Sequence, residues 1–328
     1  MANLILPPNW RGKERDATSE KAFHDRREFL RLAGFTGLGL AAAWYFPEAR
    51  SQAGFLDGFW NSSAAAKKKS YPAIQGLSQN PAFQVRRPLT LEEVALKYNN
   101  FYEFTAVKEN VWKRVDSFKP QPWTVEVAGH VKNPRVYDVE ELLSAFPLEE
   151  RIYRHRCVET WAMVVPWNGF PLRSLVTQVE PTSRAKYLRF TSFLDPEVAP
   201  GQGKTDLPWP YTEGLTLDEA MNELAFVATG IYGHRLPNQH GAPLRLVTPW
   251  KYGVKSIKSV TRIEFLDHQP ATFWNTLIPR EYDFPANVDP DAPHPRWSQR
   301  REKMIGTGEV FATRKFNGYG EWVAGLYA

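Results

Sequence analysis

Among 328 residues there is a single cysteine, Cys157, and that scarcity excludes a good deal of chemistry. No internal disulfide can form, no Cys-x-x-Cys-His haem attachment exists, and the spacing of iron–sulfur ligands is impossible. The chain also lacks a His-Glu-x-x-His zinc helix, a Gly-x-Ser-x-Gly nucleophile elbow, a Gly-x-Gly-x-x-Gly dinucleotide loop and a Walker phosphate loop. Its seven histidines are scattered. An excess of one charge is missing from most of the sequence. The net charge is +5, but residues 1–70 hold 11 Lys/Arg against 7 Asp/Glu and the remainder 30 against 29. A nearly neutral body is not a nucleic-acid surface.

What is present points to a globular body behind an export signal. A chain with 43% hydrophobic and 14% aromatic residues can bury a sizeable core. Arg26 and Arg27 precede Phe29-Leu30 and the apolar, Gly/Ala-rich run Leu32 to Phe46, the pattern of a twin-arginine signal. That run is shorter than the roughly 20 apolar residues a membrane span needs, so cleavage between Trp44 and Ala53 is expected. The reading divides the chain into a signal over 1–53, a tether and extended segment over 54–88, and a body over 89–328. Twin-arginine export carries proteins already folded, commonly around a cofactor, and a cofactor is therefore expected.

In the body, Thr90 precedes Leu91-Glu92-Glu93 as N-cap of a short helix. Strands are expected over Trp123–Ala128, Lys186–Phe193 and Leu224–Ile231, and helices over Val139–Phe146, Leu172–Val179 and Leu217–Glu223. Short strands mixed with short helices and 26 prolines predict an irregular α+β body rather than a doubly wound sheet.

Three stretches carry the chemistry. Tyr153 to Val158 reads as a strand that delivers Cys157 to a loop, with a turn at Pro166, Asn168 and Gly169 before a helix near Pro171. Arg154, His155 and Arg156 place positive charge in sequence beside the thiol, which favours thiolate. Asn99-Asn100-Phe101-Tyr102-Glu103-Phe104 packs amides and aromatics into one loop. Gln239 to Lys258 contains Arg245 inside an apolar strand, where a guanidinium calls for an anionic partner. With Lys251, Lys255 and Lys258 it makes four cations within 14 residues, a set suited to a phosphate.

From about Leu89 to Ala328 the sequence closely resembles the bacterial periplasmic protein-methionine-sulfoxide reductases, the molybdopterin catalytic subunits within the sulfite oxidase fold family. The resemblance is carried by Asn99-Asn100-Phe101-Tyr102-Glu103, by Arg156-Cys157-Val158-Glu159 with Pro166-Trp167-x-Gly-Phe-Pro, and by Arg245-Leu-Val-Thr-Pro-Trp-Lys-Tyr-Gly. It implies a sulfite-oxidase-type molybdopterin-binding fold in which Cys157 is the protein's thiolate ligand to molybdenum. Thiolate is a soft donor suited to a metal that changes oxidation state. The same resemblance gives Asn99, Tyr102, Glu103, Arg245, Ser256, Ile257 and Lys258 to the pterin and its phosphate. Ser192, with Thr191 beside it, stands where the family has a threonine. His240 stands where some members have asparagine, and its protonation is open because imidazole titrates near pH 6.5.

The implied reaction is oxygen-atom transfer from methionine sulfoxide in periplasmic proteins at Mo-molybdopterin, with Glu159 as the candidate for proton handling or water ordering. A chain without a haem motif must receive electrons from elsewhere, and the resemblance implies a haem-bearing, quinone-linked membrane subunit. The twin-arginine translocase is the partner during export. A sulfite-oxidising or other oxo-transfer enzyme of the same fold is the alternative, and a non-enzymatic periplasmic binding or chaperone module is the last.

Overall fold

The computed structural model describes residues 71–204 and 206–328. The expected export signal and the tether at 51–70 lie outside them. In chain order the strands are β1 Ser78–Gln79, β2 Thr124–Gly129, β3 Arg135–Asp138, β4 Glu149–Arg156, β5 Trp161–Pro171, β6 Tyr187–Ser192 and β7 Thr212–Thr216. They continue as β8 Phe226–Ile231, β9 His234–Arg235, β10 Arg245–Val247, β11 Val260–Leu266, β12 Arg301–Met304 and β13 Val310–Ala312. Short helices intervene: α1 Glu92–Ala95, α2 Val139–Ala145, α3 Leu172–Val179, α4 Leu217–Met221, α5 Phe273–Leu277 and α6 Gly320–Val323. The architecture is the expected α+β mixture.

Two mixed sheets form. One runs β3-β2-β11-β6-β7, and the other is built around β5, which pairs with β4, with β8 and, in parallel, with β12. Flanked on both edges, β5 is buried along nearly its whole length, so it reads as a continuous apolar run without alternation. The half-buried strands β2 and β6 do alternate, and their periodicity of two was legible in the sequence.

The chain departs from the sequence reading in two places. Pro166, Asn168 and Gly169 do not turn the chain but lie inside β5. A register shift falls between Asn168 and Gly169 against β8, and a Cβ on Gly169 would sit 2.0 Å from Val227 O. The glycine admits a close backbone approach at a bulge. Asn168 is buried, accepting from Gly233 N at 2.8 Å and donating to Glu150 at 3.2 Å. Thr90 is not a helix cap: α1 begins after Leu91 with no side-chain cap, and the Thr90 hydroxyl instead accepts from Val164 N at 3.1 Å.

Residues 71–88 lie along the body. β1 runs parallel to β4, Phe83 is buried, and Phe83 O accepts from Ile152 N at 3.1 Å.

Candidate active site

The turn that the sequence reading put at Pro166–Gly169 falls between β4 and β5, at Cys157 to Thr160. Cys157 N donates to Trp161 O at 2.9 Å and Thr160 N to Cys157 O at 3.0 Å, closing a tight hairpin with Thr160 at φ 73°. The hairpin is clamped from the C-terminal part of the chain. Trp297 Nε1 and Gln299 Nε2 both donate to Val158 O, at 2.8 and 2.7 Å. Gln299 Oε1 accepts from Arg156 at 2.9 Å, and Arg156 is also paired with Glu302. Backbone on either side of the thiol is thereby fixed by one short segment.

The positive residues flanking Cys157 in sequence do not make it a thiolate. Arg156 is fully buried and committed to Glu302, Gln299 and Thr313. Arg154 turns to Asn317 O. His155 is held neutral, its pKa pushed down to about 3 by burial and by Arg245 and Lys258. Burial, followed by the charge of Glu159, pushes the Cys157 thiol up, and Lys108 and Arg156 oppose this only in part. Deprotonation of such a thiol is favoured by a metal at the sulfur, because a coordinating thiol loses its proton outright.

Beside the thiol stands Glu159, its Oε2 3.7 Å from Sγ. The same oxygen accepts from Asn100 Nδ2 at 3.1 Å and Trp161 Nε1 at 3.2 Å, while Oε1 lies 3.1 Å from Lys108 Nζ. Asn100 Nδ2 is also 3.5 Å from Sγ. Asn100 and Lys108 were not singled out as site residues from sequence. Asn100 had a signal in its neighbour Asn99. Lys108 had none, being 51 positions from its partner and one lysine among many.

The loop that presents Asn99 to Glu103 is anchored by Phe101 and Phe104, which belong to the core. Phe101 and Phe104 pack edge to face at 4.9 Å within a cluster that includes Val111, Val115, Phe118 and Phe193. Gly201 backs the loop: its N–H donates to Glu103 O at 2.7 Å, and a Cβ there would meet Tyr102 O at 2.0 Å. Asn99 and Glu103 are thereby held buried, and burial raises the Glu103 pKa against the pull of Lys258.

The third segment places Arg245 in β10, buried and, among the described residues, without a carboxylate partner. Its guanidinium donates to His240 O at 3.2 Å and Ser256 O at 2.8 Å and lies 4.9 Å above the Trp167 ring. Lys258 Nζ is ringed by Asn99 Oδ1 at 3.1 Å, Asn100 O at 2.6 Å and Gln239 O at 3.1 Å. Burial and Arg245 push Lys258 down, but three oxygen acceptors match the three N–H bonds of an ammonium ion and favour the charged form.

Lys251 and Lys255, grouped with them from sequence, belong elsewhere. Each is buried against a carboxylate, Lys251 on Glu219 and Lys255 on Glu213 at 2.9 Å. They balance charge inside the fold, and the expected cluster of four cations is a pair.

His240 Nε2 lies 3.0 Å from Ala95 O and must carry the proton in that bond. Burial and the neighbouring cations push its pKa well down. The ring is therefore neutral, with Nδ1 a buried acceptor that has no hydrogen-bond partner among the described residues. Ser192 is buried, and its hydroxyl donates to Lys258 O at 2.8 Å. Thr191 points to the other face of β6, as alternation requires. Ser256 Oγ accepts from Thr248 N at 3.3 Å, and Ile257 is buried with its carbonyl accepting from Leu246 N at 2.9 Å.

This donor set is that of a molybdopterin-binding oxidoreductase. Residues 112–274 match the family model described as oxidoreductase molybdopterin binding domain. The chain is 46% identical over 316 residues to the protein-methionine-sulfoxide reductase catalytic subunit MsrP of Burkholderia mallei (strain ATCC 23344), an alignment covering 95% of this chain and 92% of that one. It belongs to the family of protein-methionine-sulfoxide reductase catalytic subunits. Among solved structures, the sulfane dehydrogenase SoxCD of Paracoccus pantotrophus overlaps at TM-score 0.40 and 19% identity, covering 47% of this chain and 40% of that one.

The residues fit the cofactor. Arg245 and Lys258 are buried cations whose hydrogen bonds go to carbonyl and amide oxygens, which leaves positive charge to meet an anionic group. Asn99 Nδ2, Asn100 Oδ1 and His240 Nδ1 are buried polar atoms without a hydrogen-bond partner among the described residues, groups that a polar ring system can satisfy. Among the described residues no cluster of three or more His, Cys, Asp or Glu could hold a metal ion. A lone thiol suits a metal whose remaining ligands come with a cofactor.

Proposed function

We propose that this protein reduces methionine sulfoxide residues in periplasmic proteins to methionine. The observation that carries the reading is the Cys157 thiol with Glu159 3.7 Å away, in a chain related over nearly its whole length to a methionine-sulfoxide reductase. The bound Mo-molybdopterin supplies an oxygen acceptor and two electrons. Cys157 serves as the thiolate ligand. Arg245 and Lys258 hold the anionic end of the cofactor, with Asn99, Tyr102, Glu103, Ser192, His240, Ser256 and Ile257 along its length.

Glu159 holds or delivers protons beside the sulfur, because converting a sulfoxide oxygen to water consumes two protons with the two electrons. Lys108, Asn100 and Trp161 keep its carboxylate in place. Residues 1–53 act as a twin-arginine signal and 54–88 as a tether and extended segment ahead of the catalytic body at 89–328. Electrons come from a haem-bearing, quinone-linked membrane subunit.

The test is dye-coupled reduction of methionine sulfoxide by the purified protein beside Cys157→Ser, with molybdenum measured in both. Activity in the wild type, and loss of both activity and metal in the variant, is expected. A molybdenum-loaded wild type that does not reduce the sulfoxide would reject the substrate assignment, and a metal-free, inactive wild type would reject the enzyme.

A further inference from the structure

Glu302 divides its buried carboxylate between two arginines. Oε1 is paired with Arg87 Nη1, and Oε2 lies 3.3 Å from Arg156 Nε, a contact without hydrogen-bond geometry. An arginine and a carboxylate commonly pair through two parallel hydrogen bonds that use both oxygens. Here Arg87 takes one of them. The terminal nitrogens of Arg156 go elsewhere: Nη1 donates to Cys157 O, and Nη2 to Gln299 Oε1 at 2.9 Å and Arg301 O at 3.2 Å.

Arg87 is held in its turn. Its guanidinium lies 4.0 Å over the Phe311 ring of β13, and Nη1 is 3.8 Å from Met304 Sδ of β12. The extended segment that carries it crosses the sheet at this point. Phe83 O accepts from Ile152 N on β4, Val85 packs on the cluster of Ala162, Val164 and Met304, and Thr90 bonds Val164 of β5 in both directions, at 2.8 and 3.1 Å. Three strands and one ring thus fix where this guanidinium sits.

We propose that Arg87 is a positioning residue for Cys157, acting through Glu302 and Arg156 on the Cys157 carbonyl. Without Arg87, Glu302 turns both oxygens to Arg156, the pair stays buried and neutral, and Nη1 is drawn away from Cys157 O. The hairpin then lacks a charge-assisted hydrogen bond at the residue that carries the thiol. A segment that leads to the body thereby helps to aim its thiol. The bearing on metal ligation rests on the reading of Cys157 as the thiolate ligand; the chain of contacts does not.

The test reads the hairpin in the full chain produced without molybdenum. Amide hydrogen exchange is followed at Cys157 and Thr160, and alkylation of the single thiol by iodoacetamide is timed beside it. Arg87→Met should speed both roughly tenfold, the scale of one hydrogen bond to a charged group, while amides of β6 and β11 in the other sheet keep their rates. Arg87→Lys, which keeps a cation beside Glu302, should restore the wild-type rates. Unchanged hairpin rates in Arg87→Met, equal acceleration in both sheets, or Arg87→Lys behaving as Arg87→Met would overturn the proposal.

If Arg87→Met does not fold, Phe311→Leu decides. Weakening the hold on the guanidinium should speed the hairpin about two- to fivefold, the scale of a cation–π contact, and unchanged rates would overturn the proposal. In protein produced with molybdenum, Arg87→Met should retain less metal than the wild type, and equal retention would overturn the positioning role. A wild type that holds no metal would reject the ligand reading and leave the contact chain standing.

Discussion

Lys108 and Glu159 form a buried ion pair, Nζ to Oε1 at 3.1 Å, at the edge of the Cys157 hairpin. Removing one partner leaves an uncompensated charge in a dry site, which costs about 3–5 kcal/mol. Lys108→Met should therefore destabilise the protein by that order in urea unfolding. Lys108→Met combined with Glu159→Gln should recover most of the loss. Glu159→Gln alone should lower turnover while molybdenum is retained; unchanged turnover would remove this carboxylate from the reaction.

The lysines of the 245–258 segment should separate into two kinds. Lys255→Met strands Glu213 and should cost stability by about 3–5 kcal/mol, with the folded fraction still loading molybdenum. Lys258→Met removes a charged donor from the proposed cofactor site. Cofactor retention should fall roughly ten- to a hundredfold, the scale of a charge-assisted hydrogen bond, and the cofactor-free protein should lose about 1–3 kcal/mol because Asn99 Oδ1, Asn100 O and Gln239 O lose their donor. Equal behaviour of the two variants in molybdenum assay and thermal melting would contradict the division.

Three histidines, His155, His240 and His294, are held neutral by burial, with pKa pushed down to about 3 for His155, to about 4 for His294 and well below the ordinary value for His240. Their unfolded values lie near 6.5. The unfolded chain thus binds protons that the native chain refuses, and stability present above pH 6.5 is lost as pH falls toward 4. Cofactor-free protein should show this fall in urea unfolding between pH 7 and 5. His294→Asn should flatten the slope by up to one proton.

Gly201 and Gly203 are two residues apart with opposite surroundings. A Cβ on Gly201 would strike the backbone at Tyr102 and Glu103, while one on Gly203 meets nothing within 4 Å. Gly201→Ala should destabilise by about 1–3 kcal/mol and reduce molybdenum content by shifting the Asn99–Glu103 loop. Gly203→Ala should match the wild type in both measurements.

Elements that alternate or have a clear amphipathic face were legible in the sequence, among them β2, β6, α2 and α3. What misled were residues whose usual role is overridden by tertiary contact. Asn168 and Gly169 are turn formers in isolation, but here they build a bulge where β8 approaches too closely for any side chain. Thr90 has the chemistry of a cap and uses it to bond β5. The thiol and Arg245 could be found because each is rare in its setting, one cysteine in the chain and one arginine within an apolar strand. Nothing in the sequence distinguishes Lys258 from Lys251 and Lys255, because the difference lies in whether Glu213 or Glu219 arrives from another strand or helix. Lys108 was hidden for the same reason.

The clamp on the Cys157 hairpin imposes an order on biosynthesis. Val158 leaves the ribosome 139 residues ahead of Trp297 and 141 ahead of Gln299, the two side chains that hold its carbonyl. Until that later stretch has emerged and folded back, the nascent chain has a thiol but no fixed direction in which to present it. On the proposed role of Cys157 as a metal ligand, capture of the metal waits for the segment that carries Trp297 and Gln299.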